Sequence, residues 1–294
     1  MMRRIATSCL QIVAISVIAF FLFSVVPGDF YSPERLESHG NSIAQWRVQR
    51  GLDRPWFARY ASWIASCAKG DFGVSLAYGI PVTRLITPRL AKTAAIVLPG
   101  WTIGWFMAVS LATLAARRRI TALEPVMTIA NLVPEVIVVS LIVFLAVALR
   151  LAIDTMWLPF LAIVFSVAPL VFLHCFRALT EARSLNFVRI AESRGIPVLR
   201  LWRRFIFPAA ANPLISLLGP SLAAAFGSSL AIEAITGWPG LGPLFLEAVQ
   251  ARDYEIVQAV VLVLAVALTF TNLAADLLLY RLDPRIRLGS DGAD

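Results

Sequence analysis

The sequence predicts an all-α integral membrane protein, a helical bundle with about six transmembrane helices. Hydrophobic residues make up 59% of its 294 residues and charged residues 15%, and its mean hydropathy is +0.78. Uncharged runs recur that are long enough to cross a hydrocarbon core of about 30 Å, which takes roughly 20 apolar residues. Because backbone groups surrounded by lipid must bond within their own segment, runs of this length predict helices.

Six apolar runs define the predicted spans, and they divide the chain into two parts. The runs cover approximately residues 5–26, 93–115, 125–149, 157–176, 213–235 and 256–280. The first span and a long loop make up residues 1–92, and the other five spans form a core at residues 93–294. Four spans contain a proline, at which we expect a bend or local unwinding. The prolines beyond the first turn of these spans are Pro99, Pro134, Pro169 and Pro220.

The first run, residues 5–26, begins like a signal peptide, since Arg3 and Arg4 precede it. The run is 22 residues long and ends in VVPGD, without the small-x-small pattern that marks a signal cleavage site. We therefore expect a retained transmembrane helix.

The distribution of arginine predicts the orientation of the bundle. One side of the predicted membrane carries fifteen arginines, seven of them in the loop at 177–212, whereas the short loops of the other side carry two, Arg150 and Arg252. Positive residues favour the cytoplasmic side, so that loop and both termini are predicted to be cytoplasmic. The long loop at 27–92 is then extracytoplasmic.

Residues 57–70 of the long loop, FARYASWIASCAKG, predict a short amphipathic helix. Tyr60, Ile64 and either Cys67 or Ala68 recur at helical spacing. Such a helix lies on the membrane surface or packs on the bundle, and Gly70 is expected to end it.

Several functional classes find no support in the sequence. The net charge of +8 and the pI of about 10.1 are compatible with nucleic-acid binding, but the basic residues lie at the ends of apolar runs, where they anchor helices. The three cysteines show no disulfide or metal-ligand spacing, and the two histidines stand alone. Neither Lys69 nor Lys92 follows a glycine, so we expect no phosphate-binding loop and no cofactor on this chain.

The sequence NFVRIAESRGIPVLRLWRRF, residues 186–205, is basic and amphipathic. Phe187, Ile190 and Ala191 fall on one face of a helix, and Gly195 with a proline two residues later predicts its end. The apolar residues of a second turn are Val198, Leu201, Trp202 and Phe205. Two interpretations are open from the residues alone: a helix at the membrane surface whose arginines reach anionic headgroups, or a helix that fits a groove on a soluble partner.

Motifs distributed along the chain carry a family resemblance. Positions that fit the pattern E-x-x-x-x-D-Y-V-R-x-A-R-A-K-G are Glu181, Phe187, Val188, Arg189, Ala191 and Gly195, with Asn186 in place of the aspartate. Further motifs are PGD at 27–29, GDFGVSL at 70–76, RLAKT at 89–93, GWPGLGPLFLEAVQARDYEIVQ at 237–258 and LDPRIR at 282–287. On these motifs the chain resembles the permease subunits of binding-protein-dependent ABC importers, in the dipeptide and oligopeptide branch.

This resemblance implies a type I ABC importer permease fold in the cytoplasmic (inner) membrane of a bacterium. It implies that residues 186–204 form a coupling helix, which sits in a cleft of a cytoplasmic ATPase subunit. The residues implied in coupling are Glu181, Phe187, Arg189, Ala191, Gly195, Leu201 and Trp202. The implied partners are a second related permease, two ATPase subunits that hold ATP and Mg, and an extracytoplasmic solute-binding protein. The implied cargo is a peptide or a similar small solute.

Five residues are candidates for the translocation path or its gate. Glu135 lies about ten residues into the third span, where a charge usually faces a cavity or a partner, although a hydrogen bond between helices is the alternative. The resembling branch usually has an aromatic residue near this position. Glu233 precedes the turn of Trp238, Pro239 and Gly240, and it either lines the outer gate or caps its span. Glycine and proline keep GWPGLG irregular, and a short amphipathic helix follows it.

Two other classes of function compete with the importer. An ion-coupled secondary transporter predicts inverted repeats and several paired charges in the membrane, and the sequence shows no repeat. An intramembrane enzyme needs a paired nucleophile and base or two metal ligands within the spans, and the sequence shows neither. The resemblance therefore favours a transport subunit that is not an enzyme and that depends on a partner for ATP hydrolysis.

Overall fold

The computed structural model describes residues 2–25, 54–151 and 156–282. Most of these residues are helical and they form no β-strand, which confirms the predicted all-α class. In chain order the helices are α1 Met2–Val25, α2 Trp56–Cys67, α3 Val82–Arg118, α4 Leu123–Leu132, α5 Glu135–Ala148, α6 Trp157–Ser184, α7 Asn186–Ser193, α8 Val198–Leu201, α9 Phe207–Thr236, α10 Leu241–Ala251 and α11 Tyr254–Leu282, with a π-helical turn, Trp202–Ile206, between α8 and α9. The PGD motif at 27–29 and residues 283–287 lie outside the described residues.

Four helical stretches among the described residues are long and apolar enough to cross a membrane. They are Val82–Arg118, Trp157–Ser184, Val198–Thr236 and Tyr254–Leu277. Helices α4 and α5 are apolar enough to form a fifth span together, but they are bent by 94° relative to each other. In α1, the stretch Ala6–Leu22 is a shorter apolar helix. The four long stretches correspond to the second, fourth, fifth and sixth predicted spans.

The third predicted span, at 125–149, is not one continuous helix. Val133 and Pro134 adopt extended backbone, with ψ angles of 124° and 132°, between the end of α4 and the start of α5. Proline has no N–H, and its ring disfavours the helical conformation of the preceding residue, so the chain breaks here. Helices α3, α6 and α9 run through the other three prolines without a break, so the expected local unwinding does not occur there.

The described residues group into two compact units. The first unit combines residues 1–93 with 239–269, and the second combines 94–238 with 270–294. The first unit therefore contains α1, α2 and α10, and the second contains α4 to α9. The division of the chain between residues 92 and 93 stays a prediction.

In the first unit, α2 packs on α1 through aromatic side chains. The ring centroid of Phe20 lies 5.5 Å from that of Tyr60 and 5.8 Å from that of Trp63. The hydroxyls of Ser16 and Tyr60 share a hydrogen bond of 2.8 Å. The short helix predicted at 57–70 is therefore confirmed, and it packs on a neighbouring helix.

Cys67, the last residue of α2, should react slowly with alkylating reagents at neutral pH. Burial, with a smaller contribution from the negative charge of Asp71, raises the pKa of its thiol to about 11. Because the thiolate is the nucleophile, alkylation should rise as the pH approaches 11 and not as it passes the ordinary value of 9.0. The measurement is iodoacetamide labelling as a function of pH in a protein with Cys9→Ala and Cys175→Ala. The same protein denatured in SDS is the control, and identical pH profiles in the two states would contradict this expectation.

In the second unit, α6 packs on α9 and closely approaches α3. The α6 side chains Ile163, Phe172 and Leu179 are almost completely buried. A Cβ atom added to Gly100 of α3 would lie 2.9 Å from Cγ2 of Ile163. Small residues permit such close approach of helix backbones in membranes, so Gly100 is required here for packing.

Candidate coupling segment and membrane path

The segment from α7 to the π-helical turn contains a bend at one glycine. Helix α7 ends at Ser193, and Gly195 takes the left-handed conformation with φ of 72°. The N–H of Gly195 donates to the carbonyl of Glu192 at 3.0 Å, and the N–H of Ile196 donates to the carbonyl of Ala191 at 3.4 Å. Together these bonds form a Schellman motif, in which glycine is favoured. The predicted end of the helix at Gly195 is confirmed.

One side of α7 is buried and the other is exposed. Val188 and Ala191 are 0% and 5% exposed, whereas Phe187 and Ile190 are 49% and 53% exposed. Phe187, Ile190 and Ala191, which the sequence predicts on one face, therefore lie in different environments. The reason is that Ala191 lies three residues after Val188, so the two side chains share the buried side of the helix.

Helix α8 and the π-helical turn continue this division. Leu201 and Trp202 are buried, and the ring centroid of Trp202 lies 5.9 Å from that of Phe207 in an edge-on contact. These two predicted coupling residues therefore pack the segment against the protein, and their part in coupling stays a prediction. The exposed apolar side chains of α7 and α8 are named here the docking surface: Phe187, Ile190, Val198 and Leu199.

Exposed charges accompany the docking surface along the segment. The exposed arginines are Arg189, Arg194, Arg200, Arg203 and Arg204. None of them forms an ion pair with another described residue. Two further candidates from the sequence, Glu181 and Gly195, are also exposed. The segment thus combines apolar and cationic groups that are accessible to a partner.

Arg183 ties the segment to the rest of the second unit. Its Nη1 donates to the carbonyl of Ala116 near the end of α3 at 3.1 Å, and its Nη2 donates to Oε1 of Glu192 in α7 at 3.4 Å. Arg183 therefore links α3, α6 and α7. The sequence did not indicate this role of Arg183, because its partners Ala116 and Glu192 are not linked to it by a recognisable local pattern.

Glu135 is the first residue of α5 and lines a cavity of about 490 Å³. Its Oε2 accepts a hydrogen bond of 3.2 Å from the hydroxyl of Ser166 in α6. The cavity lies along the α4–α5 break and α6. Glu135 therefore makes the helix-to-helix hydrogen bond considered from the sequence and also lines this cavity.

Glu233 is fully buried in α9, close to the end of that helix at Thr236. Gly237 follows in the left-handed conformation, with φ of 72°. Trp238 is half-buried, and Pro239 is exposed. The irregular turn predicted for GWPGLG is confirmed up to the start of α10, and the gating and capping roles of Glu233 stay predictions.

Gly240 and α10 belong to the first unit. Gly240 is buried and precedes Leu241, whose N–H donates to the hydroxyl of Thr93 at 3.0 Å. Leu244 and Ala248 are buried along one side of α10. The short amphipathic helix predicted after the turn is therefore confirmed, and Thr93 of the RLAKT motif bonds its first residue.

A buried carboxylate fastens residues 71–81 to the turn between α10 and α11. Oδ2 of Asp253 accepts hydrogen bonds from the hydroxyl of Ser75 at 2.6 Å and from the N–H of Ala77 at 3.0 Å. Its Oδ1 accepts one from the N–H of Ile256 at 3.4 Å, which makes Asp253 the N-cap of α11. The capping position is readable from the sequence, but the Ser75 partner is not, because 178 residues separate the two.

A second hydrogen bond joins the same two segments at the surface. The hydroxyl of Tyr78 donates to Oε2 of Glu247 at 2.7 Å. This bond to a carboxylate, with a smaller effect of burial, raises the pKa of Tyr78 above its ordinary value. The phenol therefore stays protonated and continues to donate to a higher pH than an ordinary tyrosine does.

Comparison with known proteins gives family matches along almost the whole chain. Residues 100–288 match the family "Binding-protein-dependent transport system inner membrane component", and residues 1–97 match the N-terminal family of such membrane components. The oligopeptide transport system permease protein AppB of Bacillus subtilis (strain 168) is 24% identical over 312 residues, which cover 97% of this chain and 98% of AppB. The dipeptide transport system permease protein DppB of Lactococcus lactis subsp. cremoris is 25% identical over 300 residues, 98% of each chain. The glutathione transport system permease protein GsiC of Salmonella choleraesuis is 26% identical over 311 residues, 97% of this chain and 98% of GsiC.

A solved structure shares the fold. The structure, of the inward-facing MetNI methionine ABC transporter, aligns with a TM-score of 0.59 and 18% identity, covering 68% of this chain and 97% of that chain. The predicted type I ABC importer permease fold is thereby confirmed. The chain belongs to the inner-membrane components of binding-protein-dependent transport systems, the permease subunits of ABC importers, whose ATPase activity resides in separate subunits.

Proposed function

We propose that this permease serves an ATP-driven importer of peptides or similar small solutes and that it couples to the ATPase through the docking surface. Relatives named for oligopeptide, dipeptide and glutathione transport support this class of cargo. The observation that carries the coupling role is the exposure of four apolar side chains on a segment whose opposite side is buried. Family membership disfavours the alternative of an ion-coupled secondary transporter.

The docking surface has the properties of a site for a soluble partner protein. Burying the exposed half of each apolar side chain against a partner gains roughly 1 kcal/mol. Interfaces of this kind place aromatic and aliphatic groups at the centre and charged groups at the rim. Phe187 and Ile190 supply the central groups, and Arg189 and Arg194 supply rim charges.

Transmission of movement requires that the docking surface be held rigidly. Val188, Leu201 and Trp202 bury the opposite side of the segment. The hydrogen bonds around Gly195 fix the bend, and Arg183 links α7 to α3 and α6. Displacement of the docking surface by a partner would therefore move the ends of two membrane helices.

The proposed importer contains further subunits and has a defined orientation in the membrane. A second, related permease forms the other half of the path, and two cytoplasmic ATPase subunits bind ATP and Mg. An extracytoplasmic solute-binding protein delivers cargo to residues 27–92 and 237–255. The arginine distribution supports an orientation with both termini and the docking surface in the cytoplasm of the bacterial cell. ATP binding then closes the ATPases and opens the outer side, and hydrolysis resets the transporter.

Within this permease, Glu135 lines the path and the end of α9 forms the outer gate. The cavity beside Glu135 supports the first assignment. The irregular turn that separates α9 from α10 supports the second, because a chain break of this kind can move without unfolding a helix. The proposed gate residues are Glu233, Trp238, Pro239 and Gly240.

Ile190→Asp should weaken binding of the ATPase subunits on the order of tenfold, because it places an unpaired charge in an apolar interface. The measurement is titration of ATPase subunits onto the permease pair in nanodiscs, with binding-protein-stimulated ATP hydrolysis as the second readout. Ile120→Asp is the matched control, since Ile120 is also exposed, in the loop between α3 and α4.

Two results would contradict the coupling role. The first is equal ATPase binding by the Ile190 variant and the wild type. The second is an equal loss in the Ile190 and Ile120 variants, which would indicate a general effect of charge.

Uptake into proteoliposomes should also require ATP and survive a proton ionophore, and uptake abolished by the ionophore would favour the secondary transporter.

A further inference from the structure

We propose that the cavity at the α4–α5 break binds a cationic group of the cargo, an ammonium, with Glu135 as its counter-ion. The inference rests on the proposed function, in which Glu135 lines the path, and it adds the chemical class of the ligand. Three observations carry it: the backbone at the break, the cavity beside it, and the charge that lines the cavity.

The break leaves backbone acceptors inside an apolar run. In a continuous helix, the carbonyls of Ala130, Asn131 and Leu132 would accept hydrogen bonds from the N–H groups four residues later. Pro134 has no N–H, and the bend of 94° turns α5 away from α4, so these carbonyls lose their helical donors. Such backbone is tolerated at membrane depth where it is buried in protein or lines a water-filled cavity.

The cavity of about 490 Å³ lies at this position. Its polar side chains are Asn131, Glu135 and Ser166. Pockets of about 300–1,000 Å³ are typical of small-molecule sites, so the cavity accommodates one end of a small peptide. Broken helices at membrane depth are a general means of forming substrate sites in transporters.

The charge in the cavity is negative. Among the described residues, Glu135 is the one ionisable side chain that lines it, and Ser166 donates a single hydrogen bond to its Oε2. No lysine or arginine among the described residues forms an ion pair with Glu135. A carboxylate in apolar surroundings is stabilised by a cation, and carbonyl oxygens accept the N–H groups of an ammonium. The cavity therefore favours an ammonium and disfavours a carboxylate.

The test measures the charge preference of the cavity in the complete importer in nanodiscs. Asn131→Cys is introduced after the native cysteines are changed to alanine, and its reaction rates with a trimethylammonium-ethyl and a sulfonatoethyl methanethiosulfonate are compared. The ratio of cationic to anionic rates should fall on the order of tenfold when Glu135→Gln is added. Val138 also lines the cavity. If the Asn131→Cys variant does not assemble into the importer, Val138→Cys is used in its place.

An unchanged ratio would overturn the inference, as would a cysteine that reacts with neither reagent, which would indicate a position in lipid. The labelling requires neither ATP nor transport, so these outcomes leave the proposed importer and its coupling through the docking surface standing, whereas a position in lipid would also remove Glu135 from the path. In proteoliposomes, Glu135→Gln should lower uptake of trialanine relative to N-acetyl-trialanine on the order of tenfold.

The uptake experiment distinguishes an ammonium group of the cargo from an inorganic cation as the occupant of the cavity. A changed labelling ratio with an unchanged uptake ratio would assign the cavity to inorganic cations and overturn the claim for cargo. If the wild-type importer takes up neither peptide, the peptide cargo of the proposed function fails. The labelling ratio then still decides whether the cavity attracts cations.

Discussion

Asp253→Ala should lower the free energy of unfolding of the first unit by about 4 kcal/mol, because it removes three hydrogen bonds to a buried carboxylate. The hydroxyl of Ser75 and the N–H of Ala77 would lose their acceptor, and α11 would lose its N-cap. Residues 71–81 should therefore detach from the turn between α10 and α11. The measurement is thermal unfolding of the purified permease, together with the rate of tryptic cleavage at Lys69, which precedes the detached segment.

Two matched variants separate the charge from the individual bonds. Asp253→Asn keeps the shape and one acceptor oxygen, so its loss should be smaller than that of Asp253→Ala. Ser75→Ala removes one bond of the three and should cost about 1 kcal/mol. An equal loss in Asp253→Asn and Asp253→Ala would contradict this expectation, because the remaining acceptor oxygen would then contribute nothing, and no effect of Asp253→Ala would show that the segment is held by other contacts.

Composition and apolar run length predict most of the fold, because each membrane helix satisfies its own backbone. The position of the break is the part that they do not predict. Four spans contain proline, and only Val133–Pro134 interrupts a helix among the described residues. A proline in the interior of a helix removes one hydrogen bond, and packing with neighbouring helices decides whether the helix continues. At Pro99, for example, the adjacent Gly100 packs closely on Ile163, and the helix is unbroken.

The candidate site shows the same limit. The end of α7 at Gly195 is predicted correctly, because glycine and proline act locally. The division into buried and exposed sides is harder to predict. A π-helical turn at Trp202–Ile206 departs from the repeat of 3.6 residues on which amphipathic patterns are counted. The links of Arg183 to Ala116 and of Asp253 to Ser75 join distant parts of the chain, and no local pattern indicates them.

Gly219→Ala should destabilise the second unit by about 3 kcal/mol, because it overfills a close crossing of α9 and α11. A Cβ atom at this position would lie 2.8 Å from Oδ1 of Asn272, 3.0 Å from Cβ of Ala275 and 3.1 Å from Cα of Asn272. The last contact involves backbone, so a side-chain rotation cannot relieve it. The crossing is next to Ser221, whose Oγ accepts hydrogen bonds from two tryptophan indoles of α3, and a shift of α9 would strain these bonds as well.

Gly227→Ala is the matched control in the same helix, since a Cβ atom there would meet no atom within 4 Å. Alanine has a higher helix propensity than glycine by about 1 kcal/mol, so this variant should unfold at the same temperature as the wild type or higher. Thermal unfolding in detergent compares the two. Asn272→Ala should recover part of the loss in the Gly219 variant, because it removes the side-chain oxygen and leaves the backbone contact. If Gly219→Ala proves as stable as Gly227→Ala, the two helices do not approach as closely as the structure describes.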